Sequence, residues 1–347
     1  MIQLEGVSKQ YLYGARVLFG VDLTVGDGEI LAVLGDEQSG KTTLLKVIAG
    51  VTECEGKVLV DGAPIAKKPD DVIMVFDDLA LFENHSCYYN LAYPLKIRGL
   101  DKAEIDERVK KSAMRAGITA SLFEQVRKMS LIDKKRLAFA RLFLRDTRAI
   151  LIDDITRGLD KDEAEILWSE VTPVLVEKAR EGRSVIFATH DVGEALSIGD
   201  VFAVLHYREV KQIGSFDEIV NSPSNVWAVE AFDKDYHFEK AVLSLDDGKL
   251  CLETNDGYII DASAFDAKIA DGYVGKEVLV GWASDAFDVE GERKINVDYA
   301  LRKKDGYVLV AGESRIKSKQ KLQEVGTLPL ANRVWLFDKT NENSIVL

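Results

Sequence analysis

Nine consecutive residues restrict this chain more than any other segment. Gly35-Asp36-Glu37-Gln38-Ser39-Gly40-Lys41-Thr42-Thr43 satisfies G-x-x-x-x-G-K-[ST], and it lies between an apolar run, Ile30 to Leu34, and a helix-like segment, Leu44 to Ala49. Strand, glycine-bounded turn and helix in that order make a phosphate-binding loop. The glycines let successive backbone N–H groups turn inward on β- and γ-phosphate oxygens, and the helix presents its positive end to the same anion. The pattern predicts a nucleoside triphosphate site in which Lys41 neutralises phosphate charge and Thr42 holds Mg²⁺. Gly35, Ser39, Gly40 and Thr43 complete the expected cradle.

Around that loop the chain is long enough for more than one core. Its 347 residues exceed the roughly 250–300 at which single cores stop growing, so two domains are expected. A formal charge of −13 offers no broad basic surface for nucleic acid. Cys54, Cys87 and Cys251 are odd in number and far apart, which argues against a disulfide framework or a zinc site and suits a reducing compartment. No apolar stretch approaches the roughly 18 residues needed to span a bilayer, and MIQLEGVSKQ has no signal-peptide core. A soluble, cytoplasmic protein is expected.

The order of elements predicts an α/β fold. Glu29 to Leu34, Val72 to Phe76, Ala149 to Ile152, Ser184 to Ala188 and Val201 to Leu205 read as strands, the later ones continuously apolar as in a mostly parallel sheet covered on both faces. Residues 83–145 interrupt them with helical patterns at Lys102 to Ala116 and Asp133 to Arg145, predicting a helical subdomain. Pro173 predicts a break or kink near Thr172 in the helix Asp162 to Arg180. Beyond Asp233 the texture changes: Asp247-Gly248, Asp256-Gly257 and Asp305-Gly306 separate alternating runs such as Ala241 to Leu245, Val278 to Trp282 and Tyr307 to Ala311. The expected division is an ATP-binding domain over 1–234 and a small all-β domain over 235–347, whose strand spacing fits a barrel of the oligonucleotide-binding type without implying its ligand.

A hydrophobic strand ending in an acid is the expected second half of such a site, because an Asp there can hold Mg²⁺ opposite the loop; Ile150-Leu151-Ile152-Asp153 supplies it. With these segments in this order, the whole chain resembles an ATP-binding cassette (ABC) transporter ATPase. The resemblance implies that Tyr11 stacks on adenine, with Tyr13 as second candidate, and that His190 in Thr189-His190-Asp191 contacts the γ-phosphate. It places Ser130 and Arg136 to Arg141 in the family's signature and following helix, and Gly158-Leu159-Asp160 at the end of its D-loop. The tail resembles one subgroup, the long ATPase subunits of maltose-type and glycerol-phosphate-type importers, through Val280-Gly281-Trp282 to Asp288 and Val334 to Asp338. The subgroup implies two membrane-spanning permease subunits as partners, a second ATPase subunit, an extracytoplasmic solute-binding protein acting indirectly, and a peripheral place on the inner face of the membrane. Leu79 to Phe82 and Asn90 to Leu95 also follow the subgroup, in the region where the family grips a coupling helix.

Several chemically demanding positions depart from the family. Asp154 stands where a glutamate polarises the attacking water, and one methylene less retracts the carboxylate by roughly 1.5 Å. A misplacement of about 1 Å can cost on the order of 10²-fold in rate. Asp77 replaces a glutamine that both donates and accepts. The signature reads Met129-Ser130-Leu131-Ile132-Asp133, with two bulky apolar residues and an acid where glycines and an amide are usual, and Gln38 replaces the inner loop glycine. Lys41, Thr42, Asp153 and His190 are retained. Two readings follow: an importer ATPase that still turns over with Asp154 as base, or a hydrolysis-impaired partner of an intact paralogue, for which pairing as a heterodimer is favoured over a homodimer. A single-cassette DNA-repair or translation protein fits poorly, since there is no coiled-coil insertion and no basic surface.

Overall fold

The computed structural model describes residues 1–12, 14–65, 71–232, 237–246, 249–254, 259–262, 272–282, 293–296, 299–303, 306–311, 314–318, 324–327 and 334–345. Tyr13, Asp247-Gly248, Asp256-Gly257 and Asp288 lie outside them. The chain divides into two compact units, Met1–Ile213 and Gly214–Leu347.

In the first unit, β1 (Ile2–Gln10) and β2 (Arg16–Val25) pair antiparallel, with Val21, Leu23 and Val25 buried at the two-residue period of a half-covered strand. The next strand, β3 (Ile30–Gly35), leads through the loop into helix α1 (Lys41–Ile48). Eight residues are too few to hold a helix alone. Burial of Leu44, Leu45, Val47 and Ile48 in the main core anchors it, at about 1.5–3 kcal/mol for each large side chain. Strands β4 (Glu55–Val60) and β5 (Ala63–Pro64) complete an antiparallel sheet of order β2-β1-β4-β5.

The second sheet contains β3 and adds β6 (Val72–Val75), β7 (Ala149–Asp153), β8 (Ser184–Thr189), β9 (Val201–His206) and β10 (Glu209–Gly214), in the order β10-β9-β3-β8-β7-β6. Strands β6, β7, β8, β3 and β9 are parallel in register, and every residue of β7 and β8 is buried, as in strands covered on both faces. Because they point one way, the segments following β3, β6, β7 and β8 emerge on one edge, where ligands of open α/β sheets bind. Strand β10 returns beside β9 through Tyr207 and Arg208, whose φ values of 45° and 71° match the two left-handed positions of a tight hairpin turn.

Between β6 and β7 the helices α2 (Cys87–Ile97), α3 (Lys102–Arg115) and α4 (Leu131–Ala140), with a 3₁₀ turn at Arg141–Leu144, enclose their own core of Leu91, Leu95, Ile105, Val109 and Leu137. This is the helical subdomain expected over 83–145. Helix α5 (Lys161–Arg180) runs unbroken through Pro173, so the helix does not break at the expected place near Thr172. Leu167, Val171, Leu175 and Ala179 are buried at a strict spacing of four and hold the helix to the core. Pro173 is exposed, and so is Ser169, whose carbonyl loses the i−4 bond to water rather than to a dry interior. Helix α6 (Val192–Ile198) follows β8.

The second unit begins with α7 (Phe216–Asn221), closed by a capping box at Ser215 and Glu218, and α8 (Val226–Phe232). Both precede residue 234, yet Val226 and Val229 share a core with Leu243, Leu252, Val280 and Phe337 of the second unit. Strands β11 (His237–Asp246), β12 (Lys249–Thr254), β13 (Ile259–Asp261) and β14 (Glu277–Trp282) form an antiparallel sheet completed by a late strand. Further strands are β15 (Arg293–Asn296), β16 (Tyr299–Lys303), β17 (Gly306–Ala311), β18 (Ser314–Ser318) and β19 (Glu324–Thr327). The last, β20 (Val334–Asp338), pairs with β14, so the described strands are all-β and antiparallel. The pair Asp246↔Lys249 flanks the predicted Asp247-Gly248 turn, whereas Gly306 of the predicted Asp305-Gly306 turn is itself paired with Lys303.

Candidate functional site

The loop after β3 has the backbone its sequence requires. A Cβ at Gly35 would lie 2.3 Å from the Leu205 carbonyl oxygen and 2.8 Å from Ser39 Oγ, and one at Gly40, with φ 108°, would lie 2.8 Å from the Val17 carbonyl oxygen. Only glycine fits either position. Gln38, where the family has a third glycine, keeps φ at 65°, so the loop retains its left-handed turn at a steric cost. Lys41 donates from Nζ to the carbonyls of Gly35 (2.5 Å) and Asp36 (2.8 Å), which holds its charge at the loop's mouth; burial lowers its pKa, and Asp154 and Asp153 oppose that.

A cleft of about 510 Å³ opens over this loop, lined by Ser39, Gly40, Lys41, Thr42 and Thr43 together with Asp77, Asp153, Asp154 and His190. The parallel sheet thus brings the predicted residues from four strand ends into one place. Thr42 donates from Oγ1 to Asp153 Oδ1 at 3.1 Å. Asp153 is 1% exposed, and its Oδ2 is buried with no hydrogen-bond partner among the described residues. Burial, reinforced by Asp77 and Asp154, pushes its carboxyl up to about 6. A buried carboxylate oxygen with nothing to accept from, beside a threonine hydroxyl, is a donor set suited to a hard divalent cation. Among the described residues no group of three or more His, Cys, Asp or Glu makes a protein-only metal cage. Thr42 and Asp153 therefore fit Mg²⁺ held jointly with phosphate oxygens and water, as that ion prefers.

Asp154 follows directly in a left-handed backbone, φ 44°, which Asp tolerates better than longer side chains. Its carboxylate oxygens lie 3.1 and 3.2 Å from His190 Nδ1, so the expected base and the expected switch histidine already touch. Asp77, after β6, accepts from the N–H of Asp78 at 2.9 Å and adds a third carboxylate to the cleft.

Tyr11 and Ser130 are not among the residues lining that cleft. Tyr11 is exposed, with its hydroxyl 3.5 Å from Thr43 Oγ1. Ser130 caps α4, accepting from the Asp133 N–H at 3.2 Å and donating to Asp133 Oδ2 at 2.9 Å. Asp133 also pairs with Arg136, which binds Glu170 through two nitrogens at 2.8 and 2.6 Å. Within this chain the Asp133 charge is paired on its own helix and Ile132 is buried, leaving Leu131 exposed.

Sequence reasoning missed Arg157 and Arg208, which also line the cleft. Arg157 pairs with Glu37 at 2.9 Å and His206 meets Asp36 at 3.1 Å, so each acid that the loop carries near its phosphate site has a basic neighbour. The signal was present as two acids inside a phosphate loop. Their partners lie more than a hundred residues away and follow only from the sheet order. Arg141, in the helix after the signature, donates to the carbonyls of Leu79 (3.3 Å) and Ala80 (2.8 Å), both at positive φ, and so fixes the turn after Asp77.

Residues 18–157 match the ABC transporter family. The trehalose/maltose import ATP-binding protein MalK of Thermococcus litoralis is 28% identical over 364 residues, covering 94% of each chain. The sn-glycerol-3-phosphate import ATP-binding protein UgpC of Cupriavidus metallidurans is 32% identical over 233 residues, 65% of this chain and 62% of that protein. Among solved structures, cbiO1 of Clostridium perfringens, part of the ABC transporter complex cbiONQ, is similar with a TM-score of 0.55 and 27% identity over 63% of this chain and 89% of that one. The dimeric cassette MJ0796 gives 0.56 at 24% identity, over 62% and 98%, and speaks to the fold alone. Residues 18–157 thus carry the match to the ABC transporter family, and along most of its length the chain resembles maltose-type and glycerol-phosphate-type importer ATP-binding subunits.

Proposed function

We propose that this chain is the ATP-binding subunit of an ABC importer for carbohydrates or related polyols, acting as one half of a cassette dimer beneath two membrane-spanning subunits. An extracytoplasmic solute-binding protein would deliver the solute, and residues 235–347 would aid assembly and receive regulators. The observation that carries the reading is the convergence of Lys41, Thr42 and the unpartnered Oδ2 of Asp153 at one strand edge. Lys41 and the loop N–H groups bind the phosphates; Thr42 and Asp153 hold Mg²⁺, which supplies charge neutralisation there. Asp154 takes the proton of the attacking water, and His190, on its carboxylate, orients it. Purification with co-encoded membrane subunits, followed by solute-stimulated ATPase assay, tests this. Solute-independent behaviour of a correctly assembled complex contradicts it.

A second feature favours weak hydrolysis by the chain alone. In the family each ATP lies between one subunit's loop and the other's signature, so a homodimer would combine the short Asp154 with an exposed Leu131 at both sites. A heterodimer with an intact paralogue separates the two changes. Little turnover by the isolated chain, a gain with Asp154→Glu and a larger gain on adding the paralogue are expected; vigorous turnover abolished by Asp154→Ala restores the ordinary homodimer.

A further inference from the structure

Strand β9 ends at His206 and β10 begins at Glu209, so Tyr207 and Arg208 alone make the turn between them. Both hold a left-handed backbone, φ 45° and 71°, at positions that a hairpin of this length ordinarily gives to asparagine or glycine. Strain kept at such a position points to a role for the side chain. Leu205 pairs with Gly35 in the sheet, which sets the turn beside the start of the phosphate loop. The turn is fastened to β2 twice: the Arg208 carbonyl accepts from the Phe19 N–H at 3.1 Å, and Arg208 Nη1 donates to the Arg16 carbonyl at 3.0 Å. So held, the half-buried Arg208 lines both the nucleotide cleft and a second cavity of about 480 Å³ that shares Glu37, Gln38 and Ser39 with it.

Three basic side chains besides His190 line the nucleotide cleft. Arg157 is paired with Glu37, and Lys41 lies on the carbonyls of Gly35 and Asp36. Arg208 has no ion pair among the described residues, since Arg157 takes one loop acid and His206 the other. A guanidinium held by one backbone bond keeps the other donors of its planar fork for an anion, and phosphate matches that fork. In a loop of this kind the lysine reaches the β- and γ-phosphates. Lys41 Nζ is bonded at Gly35 and Asp36, the same end of the loop that Arg208 adjoins. We propose that Arg208 is a further nucleotide-binding residue, a guanidinium carried on a strained hairpin that binds the terminal phosphates of ATP from the β9 side of the loop. Asp77 and Asp153 come from β6 and β7, on the opposite side of β3 in the strand order, so the phosphate chain has the metal-holding wall on one side and the arginine on the other. The inference rests on the nucleotide-site reading above.

The test is calorimetric titration of the full chain with ATP and with ADP, Mg²⁺ present throughout, for wild type, Arg208→Gly and Arg208→Asn, with Lys41→Ala as control and urea unfolding of each protein alongside. Glycine and asparagine both suit a left-handed φ, so the urea midpoints of the two Arg208 variants should stand at or above that of wild type. Losing one charge-assisted contact to phosphate should weaken ATP binding on the order of tenfold in both variants. ADP, which lacks the γ-phosphate, should lose roughly threefold or less. ATP affinity equal to wild type in both Arg208 variants, or a loss for ADP as large as that for ATP, overturns the inference while leaving the nucleotide site intact. So does a loss of affinity accompanied by a lower urea midpoint in both variants, which assigns Arg208 to holding the hairpin. Unchanged binding in Lys41→Ala overturns the nucleotide-site reading and the inference with it.

Discussion

Asp153→Asn should stabilise the ligand-free protein while removing its metal-dependent nucleotide binding. The Asp153 carboxyl is pushed from 3.8 to about 6, chiefly by burial, and folding must bear that shift whenever the group is ionised. The folded state binds the proton more tightly than the unfolded chain, so stability falls as pH rises between the two values and the full cost is present above about 6. A shift of about 2 units amounts to roughly 3 kcal/mol at most, with about half already present at pH 5. Asparagine escapes the cost and can keep an oxygen for Thr42 Oγ1. Urea unfolding at pH 5, 6, 7 and 8 measures it: the variant should be the more stable, by a margin that grows with pH and levels off near 7. A variant less stable than wild type at pH 7, or a margin independent of pH, refutes the reasoning.

Two further expectations concern the backbone and the boundary. Gln38→Gly removes a side chain held at φ 65° and should raise stability by up to about 1 kcal/mol in the same unfolding assay, whereas a loss would mean that the glutamine side chain is itself a loop support. A chain ending after Ile213 should remain monodisperse in size-exclusion chromatography, while one ending after residue 234 should self-associate because Val226 and Val229 lose the core that buries them; the reverse order contradicts the division between units.

The parts of the fold set by local physics were legible in advance. Continuous apolar runs at β7 and β8, glycines at Gly35 and Gly40, and the acid closing β7 each carry a signal within a few residues. Parallel strand order then places Asp77, the consecutive Asp153 and Asp154, and His190 together, although helices separate in sequence the three strands whose ends bear them. Pro173 does not break α5 because its effect depends on which face of the helix it occupies, and that face is set by the spacing of Leu167, Val171 and Leu175 against the core. Helices α7 and α8 precede the change in texture yet pack beyond it, since their apolar residues find partners only in strands that follow. The pairings Glu37–Arg157 and Asp133–Arg136, and the burial of Lys135, are tertiary facts with no local pattern to announce them.

The central claim is that the loop, Thr42 and Asp153 form a working Mg·ATP site despite the changes around them. Calorimetric titration of the whole chain with Mg·ATP, set against Lys41→Ala, tests it most directly. Saturable, Mg²⁺-dependent binding that weakens roughly tenfold to a hundredfold in the variant is the predicted result, the range expected for losing charge-assisted bonds to phosphate. Binding of equal strength in both proteins, or no binding to the wild type with Mg²⁺ present, would contradict the account.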